Sequence, residues 1–263
     1  VDHIQTFDGS SGRVGFSATL ATATTSQSWY HPVALLGETE GVSVVVTNPT
    51  DLVADVKVTV VSAEGKVGSI VTSVGPYDVT EVQVLPKEEE KLVANRLFTS
   101  YESFGVIVET SDGVPIVSGL QITSGPKGSP GKESPKQELL RVNDEGEAAP
   151  LPVGRESGLS LTAGAPSGAR DWLLVLPDVP GEILVAIENT GSSSATASVI
   201  RYGKRQRYEV KLAAFATKHL PMASGSTIEI NSDSEVVVSA IHQEPKGAGL
   251  SSISAIKFGG DSE

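Results

Sequence analysis

The chain has 263 residues and a formal charge of −12, from 20 Lys plus Arg against 32 Asp plus Glu, which argues against DNA, RNA or an anionic membrane as its main partner. With 39% hydrophobic and 20% charged residues it is too apolar for disorder, and 27 Gly, 15 Pro and one Met indicate many turns and few long helices. The absence of Cys excludes disulfides, zinc–thiolate sites, iron–sulfur clusters and thiol catalysis. The length predicts two domains, and the composition favours an all-β fold.

No run of about 18 apolar residues occurs, so no transmembrane segment is predicted. The sequence begins at Val1 rather than Met and carries no leader of the secretory type. We expect either a removed leader or a truncated chain, and a removed leader would place the protein outside the cytoplasm.

Short β-branched or alternating apolar stretches, bounded by Asn-Pro, Gly and Asp-Gly, predict strands in both halves of the chain. In the first half these stretches are residues 42–47, 53–61, 79–85, 105–109 and 116–122. In the second half they are residues 183–188, 195–202, 208–212, 227–230 and 236–242.

The two halves also match in register, which predicts an internal duplication. The matched pairs keep their order at offsets that fall from 143 to 121 residues: Trp29 with Trp172, Asn48 with Asn189, Leu85-Pro86 with Leu220-Pro221, and Ser111-Asp112 with Ser232-Asp233. The falling offset predicts an insertion in the first copy, near residues 87–98.

We therefore predict two tandem immunoglobulin-like β-sandwich modules, at residues 13–124 and 156–258, joined by a polar Gly/Pro-rich linker or long loop at 125–155. A Gly-apolar-Ser motif recurs at residues 15–20, 158–162 and 249–254. Because it opens, separates and closes the copies, a strand of this type could be shared or exchanged between neighbouring sandwiches.

Motifs that carry chemistry are scarce. The four histidines, His3, His31, His219 and His242, show no metal-ligand spacing, so structural or solvent roles are favoured over a metal site. Nucleophile-elbow, Walker A and dinucleotide-binding patterns do not occur. We predict no cofactor and no enzymatic activity, with a glycosidase or esterase of dispersed site as the less favoured alternative.

Three aromatic residues are candidates for a sugar-stacking surface: Trp29 with its neighbour Tyr30, and the matched Trp172. A large aromatic at an equivalent repeat position more often fills a sandwich core or a module junction. Core packing is therefore the favoured interpretation, and glycan stacking the alternative.

One concentrated basic feature contrasts with the acidic chain. It is a predicted hairpin that carries five basic residues interleaved with tyrosines: Arg201, Lys204, Arg205, Arg207 and Lys211. Such a ribbon could bind an anionic polymer, a lipid headgroup or an acidic partner surface. A solvated, aggregation-resistant hairpin is the plainer interpretation.

The order of motifs resembles a family of actinobacterial secreted proteins of unknown function. The resemblance lies in the strand with its Asn-Pro or Asn-Thr turn, the Gly hairpins at 64–66 and 202–204, and the closing strand after Ser-Asp, and it covers most of residues 13–258. In that family tandem β-sandwich modules follow a membrane anchor or signal, often beside or fused to cell-wall glycosyltransferases. The resemblance implies an extracytoplasmic, envelope-associated role without catalytic residues.

The sequence thus predicts a non-catalytic binding or scaffold ectodomain of the bacterial cell envelope, which presents surfaces to an envelope protein, a glycan or an anionic polymer. Two alternatives are kept. One is a glycan-binding module that uses Trp29 or Trp172. The other is a surface filament or layer subunit in which strands are exchanged between chains.

Overall fold

The computed structural model describes residues 3–8, 14–19, 24–34, 39–85, 103–124, 140–142, 148–150, 158–204, 206–243 and 250–258. Over these residues the protein is all-β, as predicted, with antiparallel sheets and no helix. The strands are β1 (His3–Asp8), β2 (Val14–Thr19), β3 (Ser28–Ala34), β4 (Thr39–Thr47), β5 (Ala54–Ser62), β6 (Gly65–Val74), β7 (Val79–Leu85), β8 (Ser103–Thr110), β9 (Val117–Ser124), β10 (Leu140–Val142), β11 (Ala148–Pro150), β12 (Gly158–Ala163), β13 (Ala169–Val175), β14 (Glu182–Asn189), β15 (Ala195–Arg201), β16 (Gln206–Leu212), β17 (Thr217–Met222), β18 (Thr227–Gln243), β19 (Leu250–Ser254) and β20 (Ile256–Lys257).

The first sandwich consists of two four-stranded sheets. The β3 sheet has the order β3–β8–β5–β6, and the β4 sheet has the order β12–β9–β4–β7. Alternation along β5 shows why these residues form a sandwich strand: Val56 and Val58 are buried in the core between the sheets, whereas Asp55 and Lys57 are exposed.

The second sandwich uses the long strand β18 in both of its layers. The first part of β18 pairs with β13 and β15, and its last part pairs with β14 and β19. This gives a β13 sheet, ordered β16–β15–β18–β13–β20, and a β14 sheet, in which β14 lies between β18 and β17. The strands predicted at 227–230 and 236–242 are therefore one continuous strand.

Strand order is the same in both sandwiches. The order β12–β9–β4–β7 corresponds to β19–β18–β14–β17, and β3–β8–β5–β6 corresponds to β13–β18–β15–β16. Strand β12, which carries the second copy of the Gly-apolar-Ser motif, pairs with β9 of the first sandwich, and β19, which carries the third copy, takes the matching edge of the second.

Two buried asparagines hold corresponding turns. Asn48 donates through Nδ2 to the carbonyls of Leu52 (2.6 Å) and Val74 (3.2 Å). Asn189 donates in the same way to the carbonyls of Ser193 (2.7 Å) and Ala213 (2.8 Å). Buried amides satisfy otherwise unpaired turn carbonyls at both places, which fixes the same loop shape in each sandwich.

The turns also share an unusual backbone conformation. Tyr77 and Phe215 both have positive φ, 53° and 55°, a region that non-glycine residues seldom adopt. The amide of Tyr77 donates to the Thr50 carbonyl and that of Phe215 to the Gly191 carbonyl, each at 3.0 Å or less. Equivalent hydrogen bonds therefore hold the two strained residues.

The two sandwiches meet where the outward face of the β3 sheet packs on the β14 sheet. Leu184 and Ala186 of β14 and Ile241 of β18 belong to the apolar cluster of the first sandwich. Ser239 Oγ donates to the Pro32 carbonyl at 2.7 Å across the same contact. The joint therefore combines continuous apolar packing with a hydrogen bond.

Gly105 of β8 lies at the closest point of this joint. A Cβ there would overlap Thr217 Oγ1 and would lie 2.7 Å from the carboxyl carbon of Glu188 and 2.7 Å from Val61 Cγ2. Only a residue without a side chain allows the strands to approach this closely.

Candidate binding cleft between the sandwiches

A cavity of about 260 Å³ lies at one side of the joint, where β3, β9 and β12 of the first sandwich face β18 and β19 of the second. We call it the inter-sandwich cleft. Its walls are mostly apolar, with Leu120, Ile122 and Ile241 among them, and its polar groups include His31 and Lys257. Mostly apolar walls with a few converging polar groups are the usual character of small-molecule sites.

His31 of β3 is the most unusual residue of the cleft. Its imidazole Nε2 is hydrogen-bonded to Ser118 Oγ of β9 at 2.8 Å, and its Nδ1 has no partner among the described residues. Burial lowers the pKa of His31 to about 3 because the charged form would lose its hydration. The imidazole is therefore neutral at physiological pH, and it lines the cleft with an Nδ1 atom that is itself buried.

Gly164, directly after β12, fixes the imidazole from one side. A Cβ on Gly164 would lie 2.5 Å from His31 Cε1 and 2.7 Å from Nε2, so the backbone packs directly against the ring. The Gly164 amide also donates to the Ser118 carbonyl at 3.1 Å. The ring is thus held by contacts with both β9 and the residue after β12.

The two tryptophans show which residues of the two sandwiches correspond to each other. The Trp29 indole N–H donates to the Ile116 carbonyl and that of Trp172 to the Val236 carbonyl, both at 2.9 Å. These four residues are therefore equivalent anchors, each joining one sheet of a sandwich to the other.

Two residues beyond each anchor, the first sandwich has polar residues where the second has apolar ones. Two residues beyond Trp29 lies His31, and two beyond Trp172 lies Leu174, which is fully buried. Two residues beyond the carbonyl anchors lie Ser118 in the first sandwich and the buried Val238 in the second. The second sandwich therefore has an apolar pair in its core at the place where the first sandwich has a hydrogen-bonded polar pair.

Lys257 closes one side of the cleft. Its Nζ donates to the carbonyl and to Oγ of Ser167, both at 2.8 Å, and lies 5.5 Å from the centre of the Trp172 ring. Burial lowers the pKa of Lys257 while the nearby Glu235 raises it, and the net shift is downward. The ammonium is thus already engaged by the protein.

The contact between His31 and Ser118 resembles the base–nucleophile pair of a serine hydrolase but lacks its working parts. Nδ1 of His31 has no carboxylate beside it to orient and stabilise an imidazolium. A pKa of about 3 makes the imidazole a weak base, and Ser118 is completely buried, out of reach of a substrate carbonyl.

The predicted aromatic surface is not open to solvent. Trp29 is 0% exposed and Trp172 is 3% exposed, and each indole lies in a sandwich core, where large apolar rings gain most from burial. Tyr30 is half-buried on the outward face of β3 and packs against the second core. None of the three offers a free ring face at the outer surface, but Tyr30 and Trp172 are among the residues that line the inter-sandwich cleft.

The predicted basic hairpin is formed by β15 and β16, and several of its charges have partners. Arg201 donates to Ser226 Oγ and Arg207 to Ser198 Oγ, each through Nε at 2.8 Å. Lys204 is exposed in the turn.

The rest of the hairpin is similarly mixed in charge. Lys211 Nζ lies 3.9 Å from the Glu209 carboxylate on the same strand, and Tyr202 donates its hydroxyl to Glu229. Arg205 lies outside the described residues. The structure therefore gathers the described basic residues on one ribbon, but with acidic residues among them.

A second buried ionisable group lies at the joint rather than in the cleft. Glu188 of β14 is fully buried, and neither of its carboxyl oxygens has a partner among the described residues; the Oγ1 atoms of Thr217 and Thr59 are likewise unpaired there. Burial raises the pKa of Glu188 well above its usual range. The first sandwich has Thr47 at the corresponding position, directly before Asn48.

Metal ligands do not converge anywhere in the described ranges: no group of three or more His, Asp or Glu side chains there is placed to hold a metal ion. In the same part of the chain, no helix is long and apolar enough to cross a membrane.

No protein-family model matches the sequence, and no curated protein matches it. Among solved structures, the chain is similar to the M60 catalytic domain with the CBM51-1 and CBM51-2 domains of ZmpB from Clostridium perfringens, at 9% identity and a TM-score of 0.21, over 78% of this chain and 31% of that one. It is also similar to a GH2 β-galacturonidase from Eisenbergiella tayi bound to galacturonate, at 14% identity and a TM-score of 0.16, over 88% of this chain and 35% of that one. This chain spans about a third of each structure, and both likenesses are too slight to bear on fold or function.

Sequence reasoning missed the cleft. Because His31 stands alone in the sequence, the sequence predicts a structural or solvent role for it, and no motif distinguishes Ser118. The signal was present in the internal repeat: two residues beyond the matched tryptophans, one copy has His31 and the other has Leu174.

Proposed function

We propose that this chain is a non-catalytic binding module and that the inter-sandwich cleft is its ligand site. The observation that carries the proposal is the hydrogen-bonded pair His31–Ser118, which replaces the apolar pair Leu174 and Val238 of the other sandwich. A buried imidazole with an unpaired nitrogen costs stability. Packing alone therefore does not account for this residue, whereas a ligand site in the cleft that it lines would.

The absence of catalysis is part of the proposal. It is supported by the weak basicity of His31, by the complete burial of Ser118 and by the lack of a carboxylate beside Nδ1. A serine-directed fluorophosphonate tests it, since labelling of Ser118 would contradict a binding role without chemistry.

We also propose that the two sandwiches are tandem immunoglobulin-like copies of one module, at the boundaries given by the sequence. Support comes from the common strand order and from the paired asparagine turns. In a duplicated module, the β3 sheet of the first sandwich and the β14 sheet of the second would come from different faces of the same fold.

An extracytoplasmic position in the bacterial envelope, in a family resembling the actinobacterial secreted proteins, completes the proposal. It rests on the order of sequence motifs. Protease treatment of intact cells tests it, because an envelope protein exposed outside the membrane is degraded while cytoplasmic markers survive.

A second candidate function is partner binding by the basic hairpin, favoured by the exposed Lys204 and by Arg207 on the outward face of β16. Recovery of envelope partners by the wild type and by the variant Lys204→Glu/Arg207→Glu separates this function from the cleft. Unchanged recovery by the variant argues against the hairpin.

The cleft itself is tested by nuclear magnetic resonance on protein labelled with ¹⁵N-histidine, in which the His31 signals are assigned by their loss in His31→Leu. Neutral monosaccharides, uronic acids and amino acids are added as separate mixtures. At least one class should shift the His31 signals and leave those of His219 and His242 in place. If no class moves the His31 signals, the cleft is not the site.

A further inference from the structure

We propose that the inter-sandwich cleft takes one neutral sugar unit, an inference that rests on the proposed function of the cleft. The cavity measures about 260 Å³, whereas about 150 Å³ is enough to take up benzene. The cleft therefore has room for a six-membered ring with its hydroxyl groups, but not for a folded segment of another protein.

The charged groups around the cleft favour a neutral ligand over an ionic one. No Asp or Glu occurs among the described residues that line it, and Lys257 is the single charged lining residue. The Lys257 ammonium already donates to the carbonyl and hydroxyl of Ser167 and approaches the Gly168 carbonyl at 3.5 Å, which uses its three donors. A carboxylate bound here would find no free N–H donor on Lys257, and an ammonium would find no carboxylate on the walls, so either ion would lose hydration without a direct ion pair.

Hydrogen-bonding groups in the cleft match hydroxyl groups instead. The hydroxyls of Thr162, Ser239 and Ser254 line it together with the neutral imidazole of His31. The Ser239 hydroxyl already donates to the Pro32 carbonyl and His31 Nε2 is already bonded to Ser118, so Ser239 can still accept a hydrogen bond, while the Thr162 and Ser254 hydroxyls can both donate and accept. Sugar hydroxyls also both donate and accept, so each contact can be satisfied without net charge.

The apolar wall supplies the other half of sugar recognition. Leu120, Ile122 and Ile241 present branched aliphatic side chains, which can pack against the C–H face of a pyranose ring. A ligand with polar edges and an apolar face fits these two walls, whereas a fully polar ion or a purely apolar compound would leave one of them unsatisfied.

The test compares matched probes that differ only in charge: methyl glucoside, methyl galactoside and methyl mannoside, their 6-carboxylate analogues and their 2-amino analogues. Affinity is measured by isothermal titration calorimetry, which also serves variants that lack His31, and the His31 imidazole signals of the wild type report the site. We expect at least one neutral glycoside to bind at least about ten-fold more tightly than both of its charged analogues. Equal or tighter binding of a carboxylate or amino analogue overturns the inference, and so does binding of none of the neutral glycosides.

These outcomes separate the ligand class from the site. If only an amino acid or an anion shifts the His31 signals, the neutral-sugar inference fails and the cleft remains a binding site. If no probe of any class shifts them, the proposed function fails as well.

Two variants and one control complete the test. His31→Leu should abolish binding, and Ser254→Ala, on the opposite wall, should weaken it about three-fold to ten-fold through the loss of one hydrogen bond. Lys204→Glu, in the exposed turn of the hairpin, should bind like the wild type. Equal affinity in the wild type and in Ser254→Ala and His31→Leu proteins that unfold cooperatively would contradict a sugar in this cleft.

Discussion

Two residues beyond its anchoring tryptophan, the first sandwich has His31 in its core, whereas the second has Leu174 at the same place. The difference is reversed at the joint, where the second sandwich buries Glu188 and the first has Thr47. His31 and Glu188 are thus buried ionisable groups without an ionisable counterpart in the other sandwich, and both lie where the sandwiches meet; the second sandwich also buries His242. The two sandwiches have the same strand order, and they differ most informatively where they contact each other.

Gly105→Val should have the largest effect on stability, because it forces the two sandwiches apart. The new side chain would overlap Thr217 and press on the Glu188 carboxyl, and we expect a loss of about 3 kcal/mol or more in the free energy of unfolding. Urea denaturation measures it. Gly119→Ala is the matched strand control, since its nearest contact is an ordinary 3.6 Å to the Thr162 carbonyl, and an equal loss there would contradict the role given to Gly105.

The two buried ionisable groups predict opposite pH dependences. His31 has a folded pKa of about 3 against an ordinary 6.5, so its contribution to stability falls as pH drops from 6.5 towards 3. Glu188 has a folded pKa raised well above its ordinary 4.5, so its contribution falls as pH rises above 4.5. Each limiting slope is about 1.4 kcal/mol per pH unit, and between pH 4.5 and 6.5 the two slopes oppose each other.

Single substitutions expose each slope. Over those two pH units, His31→Leu should lose about 3 kcal/mol as pH rises, and Glu188→Gln should gain stability as pH rises, each relative to the wild-type curve. Urea denaturation at pH 4.5, 5.5 and 6.5 measures both. Variant curves that run parallel to that of the wild type would show that these groups are not buried in the folded protein.

The asparagine turns should respond alike if they are equivalent. Asn48→Ala and Asn189→Ala each remove buried hydrogen bonds to turn carbonyls, and we expect each to cost about 2 kcal/mol. Asn48 reaches a third carbonyl, that of Gly75, at 3.0 Å, so its loss should be the larger. Thermal unfolding of both variants checks the order, and a negligible effect in one would remove the equivalence.

The smallest effect belongs to the hairpin. Lys204→Glu/Arg207→Glu should change the free energy of unfolding by less than about 0.5 kcal/mol, because exposed charges contribute little. The same denaturation series measures it. A larger loss would show that the ribbon is structural rather than a solvated surface.

Much of the strand pattern follows from the sequence because branched apolar residues alternate or cluster there. Strand β7 matches its predicted range, 79–85, and β5 differs from its predicted range by one residue at each end. Strand β6 was missed because Gly68, Ser69 and Ser73 interrupt any apolar pattern on this edge strand. The sequence does not show that residues 227–230 and 236–242 belong to one strand, because the continuity of β18 depends on its pairing with strands of two different sheets.

The cleft could not be predicted from motifs because its residues come from distant parts of the chain. His31 and Ser118 are 87 residues apart, and Ser254 and Lys257 come from the far end. Their proximity depends on β12 pairing with β9 and on β19 pairing with β18. The one indication in the sequence is that His31 follows Trp29 by two residues, whereas Leu174 follows the matched Trp172 by two.

The double variant His31→Leu/Ser118→Val is the most direct test of whether the polar pair His31–Ser118 serves ligand binding. It gives the first sandwich the apolar pair of the second. Replacing both partners of a buried hydrogen bond by apolar groups is often neutral or stabilising. We predict an unchanged or higher free energy of unfolding at pH 7, together with loss of binding of the neutral glycosides. A protein that loses several kcal/mol of stability, or that still binds them, would contradict a functional role for the polar pair.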